Sequence, residues 1–171
     1  MKKYAYSFVL ACIMFLYINV SHAHIAIIGG VAHGSSKKMP IDSSGVNLKY
    51  RYEHEIYPIS WINSFMYTSI NKFQDNFYLK SQYYSICTGP SFRLNNWSSI
   101  YGGLGLGYGK FQSRHTVVIN NKFLFSNFGP SLMMGIQFNP TKNFFIDLGY
   151  EAGIMKDNNI NNVVAGIGYS F

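Results

Sequence analysis

Charge is the scarcest ingredient of this chain. Asp, Glu, Lys and Arg make up 12% of its 171 residues, about half of what a soluble domain carries. An ordinary water-facing surface cannot be built from so little. Cysteine is equally sparse, with only Cys12 and Cys87, which rules out a disulfide-stapled scaffold. Long apolar runs are missing outside the extreme N-terminus, so no helix of the ~18 to 20 residues needed to cross a bilayer is expected. Metal-ligand spacing is also absent: the five histidines are scattered, and neither a metal nor another cofactor is expected. What the chain does carry is 14 Tyr, 14 Phe and 48% hydrophobic residues, which excludes disorder. Its length fits one domain. If it lives in a membrane, it crosses as strands.

The N-terminus supplies the compartment. Lys2 and Lys3 precede an apolar stretch from Phe8 to Val20, and Ser21-His22-Ala23 has the small-x-small form of a leader peptidase site. Residues 1–23 are therefore expected to be a cleaved secretory signal, with 24–171 as a single barrel domain. A membrane anchor is disfavoured by the shortness of the segment. A lipoprotein box at Val9-Leu10-Ala11-Cys12 is disfavoured because few apolar residues precede it. Cleavage leaves Cys87 as the one cysteine, expected to face inward as a small core residue. It also lowers the net charge from +7 to +5, with 12 basic and 7 acidic residues remaining.

From His24 onward the dominant signal is alternation, in eight segments separated by turn chemistry. In Val46 to Glu53, Val46, Leu48, Tyr50 and Tyr52 share one face while Asn47, Lys49, Arg51 and Glu53 share the other. A secreted sandwich also alternates, but two further segments favour a barrel. Ile100, Leu104, Leu106 and Tyr108 alternate with Tyr101, Gly103, Gly105, Gly107 and Gly109, and Phe128, Leu132, Met134, Ile136 and Phe138 alternate with Gly129, Ser131, Met133, Gly135 and Gln137. Glycine on the polar face weakens an exposed sheet, whereas inside a narrow barrel it makes room for large inward side chains. The expected fold is all-β: a closed, eight-stranded antiparallel transmembrane up-and-down β-barrel with its interior filled by side chains. The inward parity collects Lys49, Arg51 and Arg93 against Glu53, Asp147 and Glu151, a balanced set that predicts an internal polar network.

Short connections are expected at 54–58, 94–98 and 139–143, and longer polar ones at 35–44, 69–76, 113–122 and 156–159. Short turns on the periplasmic side and longer loops outside are the pattern of an outer-membrane barrel. Val163, Ala165, Ile167, Tyr169 and Phe171 form a last alternating series, and Tyr169 with Phe171 is expected to serve the outer-membrane assembly machinery as a recognition signal.

Gly45-Val-Asn-Leu-Lys-Tyr-Arg-Tyr-Glu53, Gln82-Tyr-Tyr84 with Thr88-Gly-Pro90, Ser99-Ile-Tyr-Gly102, Gly107-Tyr-Gly-Lys-Phe-Gln112, Gln137-Phe-Asn-Pro140, Gly149-Tyr-Glu151 and Ala165-Gly-Ile-Gly-Tyr-Ser-Phe171 resemble the Ail/Lom (OmpX-like) family of enterobacterial outer-membrane barrels. They run in the family's order over nearly all of 24–171. The resemblance implies an eight-stranded barrel without a pore. It also implies a surface role in attachment to host cells or matrix, invasion and complement (serum) resistance, or a housekeeping role in outer-membrane and lipopolysaccharide integrity.

The charge account fits that topology. Lys37, Lys38, Lys72, Lys80, Lys110, Arg114, Lys122 and Lys156 fall on the outer side against Asp42, Asp75 and Asp157, an excess of +5. Lys37, Lys38, Lys80, Lys110, Arg114 and Lys122 are the candidates for contact with lipopolysaccharide, outer-membrane lipids, host matrix or complement-regulatory proteins. Export removes the chain from nucleic acid, so none is expected as a partner. His33 and Ser35 share a strand face near the outer rim, a spacing open to a lipid A-modifying enzyme. With no orienting carboxylate nearby, catalysis is not expected. Gly102 to Gly109 lacks the helix and Lys-Ser/Thr ending of a phosphate loop. Trp61 and Trp97 read as interfacial anchors.

Overall fold

Eight strands run in sequence order, each hydrogen-bonded to the next: β1 (Ala23–Ser36), β2 (Ser43–His54), β3 (Ile59–Gln74), β4 (Phe77–Asn95), β5 (Ser98–His115), β6 (Lys122–Phe138), β7 (Phe144–Gly153) and β8 (Ile160–Ser170). β8 returns to pair antiparallel with β1, so the sheet closes into a barrel. The computed structural model describes residues 23–36, 42–54, 59–74, 77–115, 122–141, 143–156 and 159–171. The proposed leader, apart from Ala23, lies outside them, and β1 begins one residue before the expected cleavage point.

Alternation becomes geometry in β2. Asn47, Lys49 and Arg51 are 3%, 2% and 1% exposed, whereas Val46 and Leu48 are 57% and 54% exposed. A residue pattern that leaves aliphatic side chains outside and charges inside suits a wall facing lipid. The same inversion holds on β5 and β6, where Leu104, Leu106, Phe128 and Met134 face outward and Tyr101, Ser131, Met133 and Gln137 are buried.

The inward glycines seat aromatic rings. A Cβ at Gly153 would come within 2.6 Å of the Tyr83 hydroxyl, and one at Gly107 within 2.8 Å of the same ring. Tyr101 lies against Gly135 and Gly149 in the same manner, with the Gly149 position 2.5 Å from its hydroxyl. Both tyrosines are almost fully enclosed. A ring of that size fits across a narrow lumen only where the opposite wall has no side chain. Towards the end with the longer connections, Ala32, Met66, Phe111, Met155, Ile160 and Val164 gather around Tyr83 as an apolar plug. Nearer the middle, Ile62, Cys87 and Met133 pack with Tyr101.

Strand lengths depart from the sequence expectation. Segments 69–76 and 113–122 were expected as loops, yet β3 continues to Gln74, β4 begins at Phe77, β5 continues to His115 and β6 begins at Lys122. β4 has 19 residues and β8 only 11. At ~3.3 Å per residue and a tilt of ~40°, β4 rises by roughly 48 Å, far more than the ~25 Å apolar band of an outer-membrane barrel. The β2–β3 pairing stops at Ser44↔Ser69 and the β6–β7 pairing at Ser131↔Gly153. Beyond those points β3 to β6 project as a four-stranded sheet. The short turn at 96–97 and the bends at 140–141 and 143 lie at the opposite end.

Candidate functional site: the ionic interior and the basic shelf

The interior network starts at the end with the short turns. Glu53 bridges Arg93 and Arg51, at 2.5 and 3.3 Å. Arg51 donates to Ser99 at 3.1 Å, to Ser60 at 3.1 Å and to the Gln137 carbonyl at 2.8 Å. The Gln137 amide donates to Asp147 at 3.1 Å, and Asp147 pairs with Lys49. Lys49 also lies 5.2 Å from the centre of the Tyr101 ring, and Arg51 lies 5.4 Å from that of Phe145. Five charges of alternating sign thus run from the mouth into the lumen. Each guanidinium, ammonium and carboxylate has the charged or polar partner that a low-dielectric interior demands.

Glu151 stands apart from that chain. It accepts from Ser131 at 2.9 Å and from Tyr83 at 3.2 Å, directly below the apolar plug. Asp147 and Glu151 are 0% and 2% exposed, and the Glu53 and Arg93 side chains sit at the mouth at 14% and 39%. Cys87 is buried at 2%. Among the described residues no group of histidine, cysteine and carboxylate side chains that can hold a metal ion occurs. Among the described residues, plug, tyrosines and ion chain fill the interior as a packed core.

The outer wall carries a second arrangement. Tyr67, Tyr84, Tyr108 and Phe128 are successive register partners across β3 to β6. Their rings stand 4.8, 6.4 and 4.6 Å apart, a continuous aromatic belt. Such belts mark the level where hydrocarbon gives way to headgroups. The next outward tier is Ser69, Gln82, Lys110 and Ser126, and the one after it Asn71, Lys80, Gln112 and Leu124. Gln82 donates to the Tyr67 hydroxyl at 3.2 Å, tying the first tier to the belt.

Lys80 and Lys110 are diagonal neighbours across the β4–β5 pair, where Cβ atoms lie ~7 to 8 Å apart. The third tier pairs Tyr78, Arg114 and Lys122 in backbone register. No carboxylate occupies any of the three tiers. Sequence reasoning put Arg114 and Lys122 in the loop expected at 113–122 and Lys80 and Lys110 outside any loop, and the structure sets all four on adjacent strands of the projecting sheet. Lys37 and Lys38 lie outside the described residues. A signal was available in the sequence, since Lys80 and Lys110 share parity with the lipid-facing Tyr84 and Tyr108.

The remaining expectations have plain positions. His33 and Ser35 are exposed on the outer face of β1, where their register partners are Ser44, Val163 and Asn161, none of them a carboxylate. Trp97 stacks on Phe138 at 5.9 Å beside the short turn. Tyr169 and Phe171 are exposed and meet edge to face at 5.2 Å, and the Phe171 amide donates to the Ile25 carbonyl at 2.9 Å.

Comparison with known proteins decides what this barrel is. The model described as "Enterobacterial Ail/Lom protein" matches residues 10–171. The chain belongs to the Ail/Lom family. It is 38% identical to outer membrane protein X of Enterobacter cloacae, with all of both chains covered. It is 34% identical to the attachment invasion locus protein of Yersinia enterocolitica, covering 96% of each. Among solved structures it is similar to Ail of Yersinia pestis in complex with the heparin analogue sucrose octasulfate, at 32% identity and a TM-score of 0.79, covering 88% of this chain and 99% of that one. As an Ail/Lom barrel the protein resides in the bacterial outer membrane, crossing it with eight strands. The short turns face the periplasm and the projecting sheet faces outward.

Proposed function

We propose that this Ail/Lom barrel is a surface adhesin and serum-resistance factor whose outward basic shelf engages phosphate- or sulfate-bearing polysaccharide. The observation that carries the reading is the placement of Lys110 and Lys80 in the two tiers directly above the aromatic belt, with Arg114 and Lys122 next in register and no acid among them. Like charges set side by side are unfavourable unless an anion lies between them. The solved Ail of Yersinia pestis holds a sulfated heparin analogue, and the same ligand chemistry suits the shelf here. Host matrix glycans, complement-regulatory proteins and lipopolysaccharide are the partners of this reading, with Lys37 and Lys38 as further contacts. No catalysis is assigned to His33 and Ser35.

A housekeeping barrel that holds lipopolysaccharide in place is the second reading, favoured by the closeness of Lys110 to the belt. Residues 1–23 act as the export signal in either case, and Tyr169 with Phe171 as the signal read by the assembly machinery.

Expression in a non-adherent, serum-sensitive host tests the proposal. Matrix binding and serum survival should rise, and a Lys80→Ser, Lys110→Ser, Arg114→Ser, Lys122→Ser variant that inserts correctly should lose both. At about 1 kcal/mol per basic residue near an anionic surface, Lys80 and Lys110 alone are worth roughly thirtyfold in affinity. Unchanged binding and survival in the variant, with weakened lipopolysaccharide retention, selects the housekeeping reading.

A further inference from the structure

Among the described residues, the outer wall between the aromatic belt and the short turns is apolar except for one pair. On β3 the outward series is Ile59, Trp61, Asn63, Phe65 and Tyr67, and on β4 it is Phe92, Pro90, Thr88, Ile86 and Tyr84. Asn63 and Thr88 are register partners, both exposed. Two apolar or aromatic layers lie above the pair and two below. At ~3.3 Å per residue and ~40° tilt each layer is about 5 Å of depth, so the pair sits roughly 10 Å from either edge of the band. That is the middle of the hydrocarbon.

Hydrogen-bond logic fixes how the amide stands. The Trp61 indole can only donate, and it donates to the Thr88 hydroxyl oxygen at 2.8 Å. The single Thr88 hydrogen is then directed to the Asn63 carbonyl oxygen at 2.7 Å. Asn63 must therefore present its oxygen to Thr88 and its NH2 group away from it. That NH2 has no partner among the described residues, and acyl chains at this depth provide no acceptor. Polar side chains in such positions are costly and hold membrane proteins together when they find one another.

We propose that this face of β2 to β4 is the contact surface of a homodimer in the membrane plane, closed by reciprocal hydrogen bonds between the Asn63 amides of two copies. A carboxamide is its own complement, and the Asn63 oxygen keeps a second lone pair after accepting from Thr88. A two-fold axis along the membrane normal brings Asn63 to Asn63 at equal depth without further requirement. Any other occupant must carry a polar group at that same depth. Across β5 the register partner of Thr88 is the exposed Leu104, and one layer nearer the short turns the wall drops at Gly102, where an added Cβ meets only a backbone oxygen at 3.8 Å. Tyr50, the β2 register partner of Asn63, flanks the other side.

Sedimentation equilibrium in density-matched micelles, on protein purified from the membranes of an expressing host, tests this. The wild type should form dimers. Asn63→Leu should weaken association by about tenfold or more while remaining a folded barrel by heat-modifiable migration, and Asn63→Gln should retain most of it. In membranes, Phe65→Cys should form an oxidant-dependent disulfide dimer and Leu132→Cys, on the far wall, should not. Monomer at every protein-to-detergent ratio overturns the proposal, as does equal dimerisation of Asn63→Leu. A wild-type monomer that retains a lipid lost from Asn63→Leu also overturns it, in favour of lipid as the occupant.

Discussion

Removing the Asp147 carboxylate should destabilise the barrel more than removing both members of its ion pair. Asp147 and Lys49 contact each other with side chains 0% and 3% exposed, enclosed by Tyr101 and by the chain through Gln137 to Arg51. At an effective dielectric constant of about 20 and a charge separation of about 4 Å, the attraction is about 4 kcal/mol. Asp147→Leu leaves the Lys49 ammonium without its ion-pair partner, beside the Tyr101 ring 5.2 Å away and with Glu151 as a more distant carboxylate. It also strips the Gln137 amide of its acceptor at 3.1 Å. A cost of about 3 to 5 kcal/mol follows, with a similar figure for Lys49→Met. The double variant removes both charges together, and only the orphaned Gln137 donor remains, worth about 1 to 3 kcal/mol. It should therefore be more stable than either single variant. Reversible urea unfolding in lipid vesicles measures all three, followed by the fluorescence of the chain's two tryptophans, Trp61 and Trp97, both exposed on the lipid side. If the double variant loses the sum of the two single losses, the two groups are uncoupled and the paired interior is refuted.

Gly149→Ala should cost about 1 to 3 kcal/mol by driving a methyl into the Tyr101 hydroxyl. Combining it with Tyr101→Leu should recover much of that loss in the same unfolding assay, and additive losses would contradict the seat. Leu104 is 65% exposed at the middle of the lipid-facing series of β5, so Leu104→Arg should lower stability in vesicles by about 2 to 4 kcal/mol; a change within about 0.5 kcal/mol, as on a watery surface, would remove Leu104 from the hydrocarbon. Heparin or lipopolysaccharide binding should weaken steeply as salt rises from 0.05 to 0.5 M, roughly tenfold in ionic strength and threefold in screening length, and Lys80→Ser with Lys110→Ser should flatten that dependence when measured by surface plasmon resonance.

Strand existence and face were readable because the bilayer and the lumen impose opposite demands on alternate residues. Val46 to Glu53 shows this in eight letters. Register was not readable in the same way. Lys49 meets Asp147 across 98 positions of sequence, and only closure of β8 onto β1 brings β7 to the far side of the lumen. The sequence supplies the parity and the balance of charge, while the pairing depends on shear and tilt that no local pattern encodes. The projecting ends of β3 to β6 were missed for a different reason. Ser69, Asn71, Lys72 and Gln74 on β3, and Ser113, Arg114 and His115 on β5, are polar on both parities, and a strand without a hydropathy period reads as a loop.

Depth decides what an unpaired polar group on the outer wall means. Lys80 and Lys110 lie above the belt, where water and headgroups solvate an ammonium at little cost, so having no ion-pair partner among the described residues is a resting state that a phosphate or sulfate can improve on. Asn63 lies about 10 Å inside the band, where no solvent relieves its amide. An Asn63→Leu monomer should accordingly be more stable than the wild-type monomer, whereas Lys110→Leu should leave stability nearly unchanged. The same parity rule places both residues on the lipid-facing side, and sequence alone gives them equal weight. What separates them is the count of two layers above Asn63 and none above Lys110, which follows from the register of β3, β4 and β5.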